Sequence, residues 1–398
     1  MRRLILFFLC AAGPLAAQDA MPWRTSYYPY LIGNPSTGLM LVGHVHLARQ
    51  AEYDARVPFD GIVSVEGGIS ARGSRFATAK FRAPHLVDGW RFAADLGAVR
   101  EATFGYYGQG PDGQGALAES STDRADEFFR VHRTRYFARG EVTRRLAGPL
   151  QMSVAAGAVH YRYAPLSESE AFLGEFSETP LTGTDVSGRV TLIVDTRDNE
   201  FLPANGVLLE TGVYGGSGHF EERTFSPPCT VCNSAPFVAS TTSGGYAGWY
   251  AHLRGFVSPR SGTVIAGRLA ARALDGGAPL DARYTLPGWE RDVTVLGGAD
   301  SHRSFVPGRF VGRGLLLGSL EIRHNLLDVG DYGAVTVIAF ADAGRVFGAN
   351  SIRWTLDGWQ AGGGGGVALR VLRSALLLFN FAGGPDGFTF SMGNSWAF

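Results

Sequence analysis

The sequence predicts an all-β fold, a transmembrane antiparallel β-barrel of about sixteen strands, and three observations carry that reading. The first is the closing run Gly387 to Phe398, where Phe388, Phe390, Met392, Trp396 and Phe398 alternate with small or polar residues. A period of two puts one face in hydrocarbon and the other on a polar lumen, and it is expected to leave the last aromatics at a membrane-water interface. The second is that no stretch after the first residues reaches eighteen uninterrupted apolar residues, so a membrane can be crossed only by strands. The third is composition. Charged residues make up 18%, below the roughly 25% of soluble domains, while 55 glycines and 12% aromatics are high. Lipid-facing half-strands exclude charge, and glycines ease bends and close packing.

In chain order, residues 1–17 read as an export signal: Arg2 and Arg3, an apolar run from Leu4 to Leu9, then small residues ending at Ala16-Ala17. Cys10 is a poor lipoprotein site because Phe8-Leu9 precede it. Residues 18–398 form one barrel domain. Alternating segments fall near 23–34, 37–50, 60–73, 74–86, 90–107, 127–145, 151–164, 186–199, 206–216, 246–258, 262–274, 314–326, 333–346, 361–372, 374–383 and 387–398. Long connections at 105–126, 165–185, 217–245, 275–313 and 347–360 fall on one side. Tight turns such as 84–89 and 202–206 fall on the other, and the short Gly384-Pro385 turn is an exception on the long-loop side.

Faces follow from parity. Val190, Leu192 and Val194 look to lipid, while Arg189, Thr191, Ile193, Asp195 and Arg197 look inward; Leu320 and Ile322 alternate with Ser319, Glu321 and Arg323. The lumen therefore carries Arg133, Arg135, Arg139, Arg254, Arg268 and Arg272 with those arginines, facing Glu141, Asp195, Glu210, Glu321 and Asp342. Mutual ion pairing in a wet interior and a transport role are both compatible with that set. Cys229 and Cys232, in a polar segment between strands, favour a local disulfide pinning a surface loop, since a metal site needs ligands beyond them and His219. The run Gly362 to Gly366 lacks the ending and helix of a phosphate loop, and as a strand interior it admits close approach of another backbone.

Several motifs in order carry a family resemblance: Leu296-Gly297-Gly298 through His302-Arg303-Ser304-Phe305 to Phe310, Leu317 to Arg323, Asp195 to Asn199 with Leu202 to Gly206, Phe340 to Gly344, and the closing strand. Together they resemble the BamA/TamA family of outer-membrane assembly factors, the bacterial surface antigens. The resemblance implies that a surface loop folds into the lumen, with the tip His302, Arg303, Ser304 and Phe305 facing Glu321 and Asp342. Ser304 stands where the family has Gly, so a positive-φ turn there would be strained or replaced by a different turn. The resemblance also makes Ser391, Gly393, Trp396 and Phe398 a C-terminal sorting signal. It implies a barrel-only member, since no POTRA module fits between Ala17 and Trp23.

Function is expected to follow: insertion or translocation of proteins or lipids at the bacterial outer membrane, through a weak seam between first and last strands or local bilayer thinning, with a separate periplasmic partner. Its own insertion would use the outer-membrane assembly machinery, and lipid is its surroundings. The alternative is a pore or passive transporter for small solutes. No nucleic-acid partner is expected at a formal net charge of zero. No cofactor or metal is expected either. His160, His252, His302 and His324 sit with no serine at a spacing that nominates a triad, so no enzyme is expected.

Overall fold

The computed structural model describes residues 22–34, 36–52, 55–108, 127–173, 181–225, 237–289, 291–348, 352–353, 355, 357–371 and 375–398. The strands are β1 (Trp23–Asn34), β2 (Gly38–Gln50), β3 (Phe59–Ser70), β4 (Arg75–Val87), β5 (Trp90–Gly105), β6 (Arg130–Ala147), β7 (Leu150–Pro165), β8 (Leu181–Asp195), β9 (Gly206–Phe225), β10 (Phe237–Arg260), β11 (Thr263–Gly276), β12 (Thr285–Leu286), β13 (Val293–Thr294), β14 (Gly314–Asp328), β15 (Gly333–Phe347), β16 (Gln360–Val371), β17 (Ala375–Gly384) and β18 (Gly387–Gly393). All but β12 and β13 join one closed antiparallel sixteen-strand barrel in chain order, and those two pair with each other in the connection between β11 and β14. Two single-turn helices, α1 (Glu170–Leu173) and α2 (Leu280–Arg283), and a 3-10 turn at Gly330–Tyr332 complete the regular structure of the described residues.

Parity sorts the side chains as alternation demands. On β8, Val190 and Leu192 are exposed on the outer face, while Arg189, Thr191, Ile193 and Asp195 are buried inside. On β14, Leu320 and Ile322 point out while Glu321 and Arg323 are buried. Valine, leucine and isoleucine dominate the exposed large residues, which is what a hydrocarbon solvent selects. One rim of the barrel has short connections. Gly89, Gly148 and Gly262 take positive φ (68°, 52° and 73°) in two-residue turns, the left-handed conformation that such hairpins need. The opposite rim carries the long connections.

Three strand expectations need correction. The expected 217–245 loop is largely strand, because β9 and β10 stay in register up to Phe225 opposite Phe237. These strands hold 20 and 24 residues, whereas about 9–11 cross a membrane, so their ends stand beyond the hydrocarbon, where alternating hydrophobicity is no longer selected. β8 ends at Asp195, not 199. The Asp198 carboxylate accepts the N–H groups of Asn199 (2.8 Å), Ala204 and Asn205 (both 3.0 Å), folding 196–205 into a tight turn. The last strand ends at Gly393, and residues 394–398 leave the wall. Trp396 and Phe398 therefore sit against lumen arginines instead of a lipid interface: the Arg323 guanidinium lies 4.0 Å from the Trp396 ring centre, and that of Arg268 lies 4.7 Å from Phe398. A buried cation holds an aromatic face well in a low-dielectric interior, and strand alternation does not encode such a contact. Residues 1–17, Cys229 and Cys232 lie outside the described residues.

Candidate functional site: a lumen plug and a seam

The connection between β11 and β14 enters the barrel and crosses it. Leu286, Val295, Leu296, Phe305 and Phe310 from this plug pack with Leu315, Leu317 and Val346 of the inner wall, forming an apolar cluster where the lumen would otherwise be open. Phe305 meets His302 and Phe310 edge-to-face at 4.7 and 5.0 Å. This burial offsets the closure entropy of a long loop.

Polar anchors then fix its position. Arg303 is 3% exposed, and its Nε and Nη2 donate to the two oxygens of Asp342 at 2.9 Å each; its backbone N–H adds a third bond at 3.0 Å. Its Nη1 donates to Glu321, whose other oxygen accepts from Arg323 Nε at 2.6 Å. The guanidinium also lies 3.6 Å from the Phe340 ring centre. A planar five-donor fork between two carboxylates on neighbouring strands uses the geometry that separates arginine from lysine. β14 and β15 supply it because Ser319 pairs with Asp342 and Glu321 with Phe340, placing both acids inward and diagonal.

Ser304 lies against the glycine run. A Cβ built on Gly362 would sit 2.2 Å from Ser304 Oγ, and one on Gly384 would sit 2.9 Å from Ser304 Cβ. His302 contacts the Gln360 carbonyl at 3.2 Å. The wall is thus bare of side chains where the loop tip touches it.

Parity places Arg189 and Arg272 in the lumen, but nothing in the pattern names the partners that make these and other residues anchors. Arg272, fully buried, donates to the carbonyls of Ala282 (3.2 Å), Arg283 (3.1 Å), Thr285 (2.5 Å) and Gly312, gripping both ends of the plug. Arg189 reaches Asp292 at 2.7 Å, Tyr163 donates to Asp281 at 2.9 Å, and Trp289 Nε1 donates to Thr143 at 3.1 Å. The plug so spans from β14 and β15 to β6, β7 and β8. A cavity of about 380 Å³ remains beside it, lined by Arg135, Arg139, Asp185, Arg189, Tyr214 and Tyr246 among others. Lumen charges elsewhere are paired as well: Arg133 with Glu101 at 2.5 Å, Arg254 with Glu210 at 2.8 Å, and Arg197 with Asp195 at 2.9 Å.

A second cluster lies at the first strand. The Glu66 carboxylate on β3 is met by Tyr30 (2.9 Å), His44 Nδ1 (2.9 Å) and Lys80 (3.1 Å), while His44 Nε2 faces His46 Nδ1 at 2.9 Å. The spacing His44-x-His46 on an alternating strand was the available signal for it.

The barrel closes there on little. β1 is in register with β2 from Trp23 opposite Arg49 to Asn34 opposite Gly38, but with β18 at one position, Gly33 opposite Met392. Because 394–398 turn inward, the backbone edge of β1 from Trp23 to Leu31 has, among the described residues, no barrel strand in register beside it.

Among solved structures, the fold is similar to that of BamA from Haemophilus ducreyi lacking POTRA domains 1–3: TM-score 0.51 and 13% identity, covering 94% of this chain and 71% of that one. It is also similar to that of CdiB from Escherichia coli, with TM-score 0.51 and 15% identity, covering 95% of this chain and 64% of the other. These matches define the class of architecture, a closed sixteen-strand barrel. No protein-family model and no curated protein sequence matches the chain.

Proposed function

We propose that the chain is an outer-membrane barrel of the BamA/TamA kind that aids insertion or translocation of proteins or lipids, working with a separate periplasmic partner after export by its 1–17 signal. One observation carries this reading: of the twelve residues of β1, a single one is in register with the closing strand. An unpaired edge facing lipid is costly, so it marks a place where the wall exchanges partners or parts. The likeness of the fold to BamA and CdiB supports the same direction, as do the order of the sequence motifs and the plug pinned by Arg303. Ser391, Gly393, Trp396 and Phe398 are proposed as the signal by which the assembly machinery inserts this barrel.

The test is a reversible lock on the seam. Ile32→Cys with Gly393→Cys lies one step along the register from Gly33 and Met392. The protein in proteoliposomes should accelerate folding of an unfolded client barrel when reduced, lose that effect on oxidation and regain it with reductant. Equal rates with and without the protein, together with steady conductance in planar bilayers, would overturn this reading and leave a pore for small solutes.

A further inference from the structure

The last strand is laddered to β17 from Gly384 opposite Gly387 to Leu378 opposite Gly393, and β1 is laddered to β2 along its whole length; on their facing sides the two strands are held differently. Toward β1 the last strand shares one register position, supplemented by Asn394 donating to the Tyr30 hydroxyl at 3.2 Å. Toward the lumen the plug reaches it at three heights. At the upper turn, Arg309 pairs with Asp386 through Nε and Nη2, the latter at 3.2 Å, with Tyr107 and Phe310 rings 4.6 and 4.8 Å from the guanidinium. Halfway down, the buried Thr389 hydroxyl donates to the Arg303 carbonyl at 2.7 Å, so the residue clamped by Glu321 and Asp342 also holds β18. At the lower end Arg268 bridges plug and tail: Nη1 donates to the Asp300 carbonyl at 2.7 Å and to the Ala397 carbonyl at 3.3 Å, and Nη2 donates to the Ser301 carbonyl at 2.8 Å. Beside it Arg291 donates to Ser395 Oγ at 3.1 Å.

Charge-assisted and buried bonds outlast exposed neutral ones, and those on the plug side are mostly of the first kind. The lumen-side bonds of β1 instead run to the next strands: Tyr30 to Glu66, and Tyr28 stacked on His44 at 4.6 Å. We propose that the plug is the clasp of the last strand. When the seam parts, β18 and residues 394–398 stay with the plug, and β1 together with β2 is the leaf that moves. This rests on the seam reading above and adds which side moves and what retains the other.

The experiment uses the full chain in lipid nanodiscs with pairs of spin labels on the outer face. One label stays at Val154 on β7, and the other sits at Tyr27 on β1 or at Phe388 on β18, all three exposed. The 154–27 distance distribution should be at least about twofold broader than the 154–388 one. Asp386→Asn combined with Thr389→Val should broaden 154–388 to match, leaving 154–27 as it was. Thr389→Val alone, which keeps a branched side chain and the ion pair, should do so in smaller measure. A narrow 154–388 distribution in every variant, or a wild type in which 388 is as broad as 27, overturns the clasp. Two narrow wild-type distributions with broadening at 388 on cutting the clasp would sustain it while removing the moving seam.

Discussion

At the scale of residues, the structure turns on one guanidinium. Arg303 donates to Glu321 and Asp342, and both acids are almost fully buried, so its loss leaves Asp342 without its main partner and Glu321 with Arg323 alone. Removing one member of such a buried set costs about 3–5 kcal/mol. Arg303→Ala should therefore release the plug, seen as loop cleavage by protease under conditions where the wild type resists and as loss of the heat-modifiable gel shift at lower temperature. Arg303→Lys should recover little, because a point charge cannot bridge two carboxylates as the planar fork does. A wild-type protease pattern in the alanine variant would contradict this. The glycine wall makes a second prediction. Gly362→Val puts side-chain atoms where Ser304 Oγ stands and should displace the loop tip, whereas Gly383→Ala, with nothing within 4 Å of its added carbon, should leave protease resistance unchanged.

At the scale of elements, short turns and long strands obey different chemistry, and this decides what could be read in advance. The sixteen strands were legible because lipid enforces alternation over each crossing, as in 186–194 and 319–323. The β9–β10 extension was illegible because that enforcement stops where the hairpin leaves the bilayer. The inward tail was illegible because Trp396 and Phe398 fit the period of a strand equally well, and only the positions of Arg268 and Arg323 draw them inside. Of the plug, the tip and its acids could be named from motif order, while the partners of the lumen-facing Arg272 and the pair Arg309 and Asp386 could not, since they depend on what the lumen brings together. The 196–205 turn gives a pH prediction. Burial alone would raise the Asp198 carboxyl, but N–H donation from Ala204, Asn205 and Asn199 outweighs it and holds the group below the usual carboxylate range. A depressed folded value contributes stability above the unfolded pKa of about 3.9, which is lost as pH falls through the folded value. Amide protection in the turn, taken relative to the intrinsic exchange rate, should fall as pH drops below about 4 in the wild type and show no such acid step in Asp198→Asn.

At the scale of the whole molecule, the wall and its contents trade roles along the circumference. From β2 to β18, consecutive ladders bind each barrel strand to its neighbour, and the plug adds lumen bonds to several of them. Between β18 and β1 the ladder nearly stops, and the plug takes over on one side only. A cylinder built this way resists opening everywhere but at one line, which is the mechanical basis for the proposed function. Seam-locked protein should accordingly melt at a higher temperature than its reduced form by several degrees, since a cross-link there restrains the weakest joint.

Period-two polarity closes the chain into a cylinder with lipid outside and the plug within. Single cysteines carrying a fluorophore at Val190, Thr191, Leu192 and Ile193 of β8, in lipid bilayers, test it most directly. Quenching by a lipid-dissolved agent should be strong at 190 and 192 and weak at 191 and 193, following their exposed and buried positions. Uniform quenching along the four positions, or quenching by a water-soluble agent at 190 and 192, would contradict it.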